Sequence, residues 1–194
     1  MESIRAFIAI ELPGSVKSAL SQLQDDIKRS EHAPVKWVDP GSVHLTLKFL
    51  GNIAEGIIPE LTGAISEAVG VSTRFRLELG EPGVFPNLRA PRVVWVGLAG
   101  ETAALSALQG NIESALVPIG FPRERRSFSP HLTLGRVREK ASSDERRSLG
   151  QAVASLKVAS AATFQVDSIN LMRSTLTPEG ALYTCLYSAA LQSG

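Results

Sequence analysis

Three histidines occur in the 194 residues of this chain, and two of them open the same tetrapeptide, HLTL, at His44–Leu47 and again at His131–Leu134. The repeat constrains the fold because its alternation is that of a half-buried strand, where residues two apart share a face. The leucines anchor such a strand in a core, and the histidine and threonine stand side by side on the opposite face. Continued at strict period two, the first copy sends Val43, Leu45, Leu47 and Phe49 inward and keeps Lys48 with His44 and Thr46. The second sends Leu132 and Leu134 inward and leaves His131 and Thr133 outside. A chain that writes this strand twice predicts two halves of similar plan, each presenting one imidazole and one hydroxyl.

The remaining pattern fits two such halves. RAFIAIEL (Arg5–Leu12) alternates as a strand, and the helix after it runs to about Arg29 with Leu20, Leu23 and Ile27 at stripe spacing. Past VHLTLKFL, a second helix over about Gly56–Val69 turns Ile58, Leu61, Ile65 and Val69 inward, with Pro59 tolerated in its first turn. RFRLELG and RVVWVGL read as strands separated by the turn-rich loop EPGVFPNLRAP, and APVKWVDPG reads as a loop before the first motif. A helix over about Thr102–Val117 precedes the second HLTL strand, and a polar helix lies near Ser143–Leu156. TFQVDSINLMRS and ALYTCLYSAAL predict a closing hairpin around LTPEG. Hairpins in place of crossovers make the class α+β, with mainly antiparallel sheets flanked by helices.

Charge and composition bound the partners. Twenty basic against nineteen acidic residues leave a net charge of +1, too little for a general nucleic-acid coat, though not for recognition of one phosphate or one RNA end. The basic run RERR at Arg123–Arg126, just before the second motif, is either a substrate-facing loop or a solvated one. Cys185 is the single cysteine and forms no internal disulfide. No apolar run approaches the roughly 20 residues of a membrane span, and MESIRAFIAIELPG lacks the pattern of a signal peptide. A cytoplasmic, metal-free protein is the expectation.

Two imidazoles and two hydroxyls facing one cleft suit phosphodiester hydrolysis. Histidine exchanges protons near neutrality. One imidazole takes a proton from attacking water while the other gives one to the leaving oxygen, and threonine hydroxyls donate to the phosphate oxygens as charge builds there. A two-histidine metal site lacks a third ligand in either motif. His32, in SEHAP, shares none of this context and is expected at the surface.

The doubled motif with its flanks resembles the two-histidine phosphoesterases, and within them the bacterial and archaeal RNA 2′,3′-cyclic phosphodiesterases, historically called 2′-5′ RNA ligases. The resemblance runs through RAFIAIELP, VKWVDPGSVHLTLKFLGNI, PRVVWVGL, FPRERRSFSPHLTLGRV and SINLMRSTLTPEGALYTCL. It implies a single two-lobed domain over residues 1–194, with pseudo-twofold symmetry and a central cleft carrying the two H-x-T motifs. It implies hydrolysis of a 2′,3′-cyclic phosphate on RNA or a nucleotide to a 2′-phosphomonoester, without metal or cofactor, and reverse 2′-5′ joining of RNA ends. By position His44 and His131 become the catalytic pair, with Thr46, Thr133 and Arg136 holding phosphate. Strict alternation puts Arg136 on the leucine face, so this role requires a bulge near Gly135. A 3′ leaving oxygen suggests His44 as acid and His131 as base, an assignment the nearly symmetric motifs leave open. Phe7, on the polar face of the first strand, either contacts a base or packs in the core, and Tyr183, in the closing hairpin, either reaches the cleft to contact a base or caps a lobe. A monomer suffices, with no obligate protein partner and no membrane. The alternatives are a phosphodiesterase for a small cyclic nucleotide or ADP-ribose cyclic phosphate, and a non-catalytic RNA- or nucleotide-binding module.

Overall fold

The computed structural model describes residues 3–30, 32–158, 162–178 and 180–193. The two HLTL segments open strands β3 (His44–Ala54) and β6 (His131–Val137). Each lies antiparallel to the strand that starts its half of the chain: β3 against β1 (Ser3–Glu11) and β6 against β5 (Val93–Gly100). Between the partners runs a helix, α1 (Gly14–Ser30) in the first half and α3 (Thr102–Leu116) in the second.

The halves then exchange strands. Helix α2 (Ile58–Val69) leads to β4 (Phe75–Phe85), which pairs with β5 in the second sheet. Helix α4 (Ser143–Ser155) leads through β7 (Thr163–Val166) to β8 (Ser168–Thr177), which pairs with β1 in the first. With β2 (Val35–Trp37) and β9 (Gly180–Ala190) the sheets are ordered β3-β1-β8-β9 and β2-β6-β5-β4-β7. All seven pairings of named strands are antiparallel. The α+β class and the two sheets are as expected.

The four helices pack their apolar stripes on one side of these sheets. Leu20, Leu23 and Ile27 of α1, Leu61, Ile65 and Val69 of α2, Leu105, Leu108 and Ile112 of α3, and Leu149 and Val153 of α4 share one buried cluster with Ile8, Leu45, Leu132 and Leu134. Helix α4 starts at a capping box: Ser142 accepts from the Glu145 N–H, and Glu145 accepts from the Ser142 N–H. A second buried group, Phe7, Ala9 and Met172 with Tyr183 against it, contains no helix residue. It marks the face of the first sheet that the helices leave open.

Four expectations change. VKW, read as loop, is strand β2, because it finds a partner in β6. EPGVFPNLRAP is not all loop: β4 carries on to Phe85 past an irregularity between Leu79 and Pro82. The third concerns β3, where Lys48 is buried and Phe49 is 64% exposed, the reverse of strict alternation. Opposite β1, Ile8 faces Lys48 while Ala9 faces Thr46, so Leu47 is an extra residue and Lys48 and Phe49 change faces; a second shift, at Leu50, restores the phase beyond. The fourth is the closing hairpin: SINLMRS and ALYTCLYSAAL form it, Thr177 facing Gly180, but TFQV is the separate strand β7, paired with β4 in the other sheet; Glu179 of the turn lies outside the described residues.

Candidate active site

The sequence before each motif holds its histidine. In DPGS, Asp39 caps a single 3-10 turn, Pro40–Ser42, by accepting from the Gly41 N–H at 3.1 Å, with Pro40 at the first position. The turn presents the Ser42 carbonyl, and His44 Nδ1 lies 3.0 Å from it. In the second copy His131 Nδ1 lies 2.7 Å from the Ser129 carbonyl. A carbonyl only accepts, so Nδ1 carries the proton in both rings. Each neutral imidazole therefore keeps Nε2 as an acceptor, and each cation offers Nε2–H as a donor. The same bond prepares either histidine for either half of an acid–base exchange.

The bulge recurs in the second motif. Across β5 and β6, Val94 faces Gly135 while Trp95 faces Thr133, so Leu134 is the extra residue. The last leucine of both tetrapeptides is thus the bulge. In β6 the shift returns Arg136 to the face of His131 and Thr133; it is exposed and sits opposite Val93. This supplies the bulge near Gly135 that a phosphate role for Arg136 requires. In β3 the residue at the same place is Phe49, which comes to lie with His44 and Thr46. The expectation that Lys48 continues the histidine face and Phe49 enters the core fails here, because strict period two does not survive an inserted residue.

Around His44 the open face is aromatic. The Phe7 ring stacks on the imidazole, centroids 4.6 Å apart and planes at 26°. Tyr183 meets both rings edge-on, 4.8 Å from His44 and 5.3 Å from Phe7. Phe7 is 3% exposed, so its ring forms the floor beneath His44 and is not open to a base; Tyr183 is half-buried. Phe49 lies 6.3 Å from Phe7 with most of its ring in solvent. The sequence reading sent it into the core, and no local signal marks the bulge at Leu47 that turns it outward. Around His131 the neighbours are Phe85, edge-on at 5.1 Å, and Trp95 at 6.2 Å. Thr46 and Thr133 are half-buried on the faces of their histidines.

Charge reaches His44 from Glu11, its partner across β1 and β3. Asn170 of β8, itself buried, donates Nδ2 to Glu11 Oε2 at 2.6 Å and keeps the carboxylate at the sheet. Burial pushes the His44 pKa below the ordinary histidine value; the Ser42 carbonyl and Glu11 work against it and Lys17 adds to it. His44 is thereby biased toward the neutral ring. Strands β3 and β6 come within 8 Å of each other by Cα. His32 is exposed, as expected. Among the described residues no group of three or more His, Cys, Asp or Glu could hold a metal ion, and no helix is long and apolar enough to cross a membrane.

Comparison with known proteins agrees with this architecture. A family model described as the 2'-5' RNA ligase superfamily matches residues 12–177. The chain is 34% identical over 181 residues to an RNA 2',3'-cyclic phosphodiesterase of Methanothermobacter thermautotrophicus, covering 93% of this chain and 95% of the relative. It is 30% identical to the RNA 2',3'-cyclic phosphodiesterase of Aquifex aeolicus, covering 95% of each. Among solved structures it superposes on the TT0787 protein of Thermus thermophilus with a TM-score of 0.79 at 27% identity, over 98% of this chain and 99% of that one. E. coli LigT in complex with 3'-AMP shares the fold, with a TM-score of 0.78 at 24% identity over 99% of this chain and 100% of its own.

Proposed function

The chain belongs to the 2'-5' RNA ligase superfamily, and from that membership we propose that it is an RNA 2',3'-cyclic phosphodiesterase, acting by two-histidine acid–base catalysis without a metal. The observation that carries the reading is the matched pair of imidazoles. Both are bonded through Nδ1 to the carbonyl two residues upstream, both begin a bulged strand, and both have a threonine on the same face. Relatives that carry this activity by name align with nearly the whole chain.

In the proposed reaction the cyclic phosphate sits between the motifs. Water attacks phosphorus in line with the 3′ oxygen, and His131 Nε2 takes its proton. The bond from phosphorus to the 3′ oxygen breaks, and protonated His44 gives its Nε2 proton to that oxygen, leaving a 2′-phosphate. Thr46, Thr133 and the Arg136 guanidinium bind the non-bridging oxygens, whose negative charge grows in the transition state. The lowered pKa of His44 makes the anionic substrate part of the acid's preparation, since a phosphate beside the ring favours the imidazolium. With a 5′-hydroxyl attacking in place of water, the same steps join a cyclic end to it: the bond from phosphorus to the 3′ oxygen breaks, and a 2′-5′ linkage and a free 3′-hydroxyl are left. Phe7 positions His44 from below, and exposed Phe49 offers the terminal base a face to stack on.

The whole chain acts as one two-lobed domain, a monomer is sufficient, and RNA ends are substrates met in the cytoplasm. A mononucleotide specialist is the second reading, favoured by Phe49 being the one exposed aromatic at the site among the described residues; it predicts no gain from added nucleotides.

The test is hydrolysis of a short RNA ending in a 2′,3′-cyclic phosphate, in EDTA, with the product phosphate located. Conversion to the 2′-phosphate, abolished in His44→Ala and in His131→Ala, is expected. A p-nitrophenyl phosphodiester, whose leaving group needs no proton, should restore turnover to the variant that lacks the acid, His44→Ala, and not to His131→Ala. Restoration of His131→Ala alone reverses the assignment, and no turnover by the parent protein on RNA or cyclic nucleotides leaves the phosphate-binding module.

A further inference from the structure

Lys48 is the side chain that the bulge at Leu47 turns inward, away from the histidines. Its ammonium lies 2.9 Å from Glu113 Oε2 on α3, with the two side chains 3% and 6% exposed, and donates to the Pro122 carbonyl at 2.6 Å. The carboxylate of Glu113 is fully engaged. Oε2 also accepts from the Glu124 N–H at 3.2 Å, and Oε1 accepts from Gln109 Nε2 at 3.2 Å. One buried ion pair therefore gathers the strand of His44, the helix of the other half and the segment that leads into His131.

The other half carries a counterpart built differently. Gln24 of α1, 2% exposed, donates Nε2 to the carbonyls of Val38, at 2.7 Å, and of bulged Leu134, at 3.0 Å. The Val38 N–H donates to the same Leu134 carbonyl, and β2 just before it pairs with β6. The lead-in to His44 is thus strapped to the strand of His131 by backbone. Among the described residues no backbone hydrogen bond joins residues 121–130 to β3. The Lys48 side chain supplies the strap on that side. Burying its charge is costly, and only the full set of partners compensates.

We propose that Lys48, held by Glu113, is a positioning residue that fixes the lead-in to His131 against the strand of His44, and so sets the spacing at which both imidazoles reach one phosphate. It touches no substrate, and the proposal rests on the two-histidine reading above. Acid and base must act on opposite sides of the same phosphorus, so loss of the strap falls on the concerted step.

The experiment uses Lys48→Met/Glu113→Leu, which removes both charges and leaves an apolar pair, with Lys48→Arg as the conservative variant. Thermal unfolding, kcat and KM are measured on the RNA cyclic phosphate and on the p-nitrophenyl diester. A folded double variant should lose kcat on RNA by about tenfold or more, since misplacement by about 1 Å costs on the order of a hundredfold. Its KM should change little, its loss on the aryl diester should be much smaller, and Lys48→Arg should recover most of the rate. If the double variant does not fold, Lys48→Gln is measured in its place with the same expectation. A folded variant with unchanged kcat on RNA, or with equal losses on both substrates, overturns the proposal. Binding gives an independent reading: inorganic phosphate is titrated against the imidazole resonances of His44 and His131. The parent should shift both with one Kd, and the variant should split them; a variant that keeps one Kd also overturns the proposal. A parent that binds phosphate through both rings yet never hydrolyses RNA refutes the reaction and leaves the positioning role standing.

Discussion

Burial at the start of β3 lowers the His44 pKa, while the Ser42 carbonyl and the Glu11 carboxylate oppose it. Removing the Glu11 charge must lower it further. In Glu11→Gln the His44 imidazole should therefore titrate at lower pH than in the parent, read from its ring-proton shifts, and the limb of the pH–rate profile that belongs to His44 should move the same way. An unchanged or raised titration would refute Glu11 as its electrostatic partner. Arg136 is separable from the proton chemistry. Arg136→Ala should lower kcat/KM by about ten- to a hundredfold, the loss of one charged donor at a developing anion, without moving either limb. Phe49→Ala should act mainly on KM, and equal KM values in parent and variant would remove Phe49 from the base site.

At the scale of elements the two bulges decide which side chains belong to the site. A strand of period two would have buried Phe49 and Arg136 and exposed Lys48; the extra residues Leu47 in β3 and Leu134 in β6 reverse all three. Close approach at the second bulge demands glycine. A Cβ on Gly135 would lie 2.6 Å from Val35 Cγ1 and 3.0 Å from Trp37 Cε3, so Gly135→Ala must push β2 off β6. The expected cost is about 1–3 kcal/mol of stability, with a fall in kcat as the strap to His131 loosens. Gly83 is tied to Trp95 in the same way, a Cβ there lying 2.4 Å from the indole Cζ2. Wild-type melting and activity in Gly135→Ala would show that the β2–β6 contact carries neither.

The molecule as a whole is interleaved, since β4 crosses to the sheet of β5 and β8 to the sheet of β1. Neither half holds a complete sheet, so urea unfolding should be a single transition. Fluorescence of Trp37 and Trp95, both in the second sheet, should coincide with far-UV circular dichroism from the whole chain; separated midpoints would show lobes that unfold independently. How much of this was legible in the sequence follows from the range of the forces involved. Helices, most strands, the α+β class and the histidine–threonine faces rest on apolar periodicity, a local property that neighbours two to four residues apart express by themselves. The fates of Lys48, Phe49 and Phe7 rest on long-range pairing instead. Whether Leu47 is bulged depends on its register with β1, and whether an ammonium can be buried depends on Glu113 and Pro122, far along the chain. The sequence by itself determined which imidazoles and hydroxyls share a strand face, because strand alternation places them together whatever lies opposite. Only the tertiary structure decided which further residues reach them, because a bulge and a buried charge exist only through the partners that compensate them.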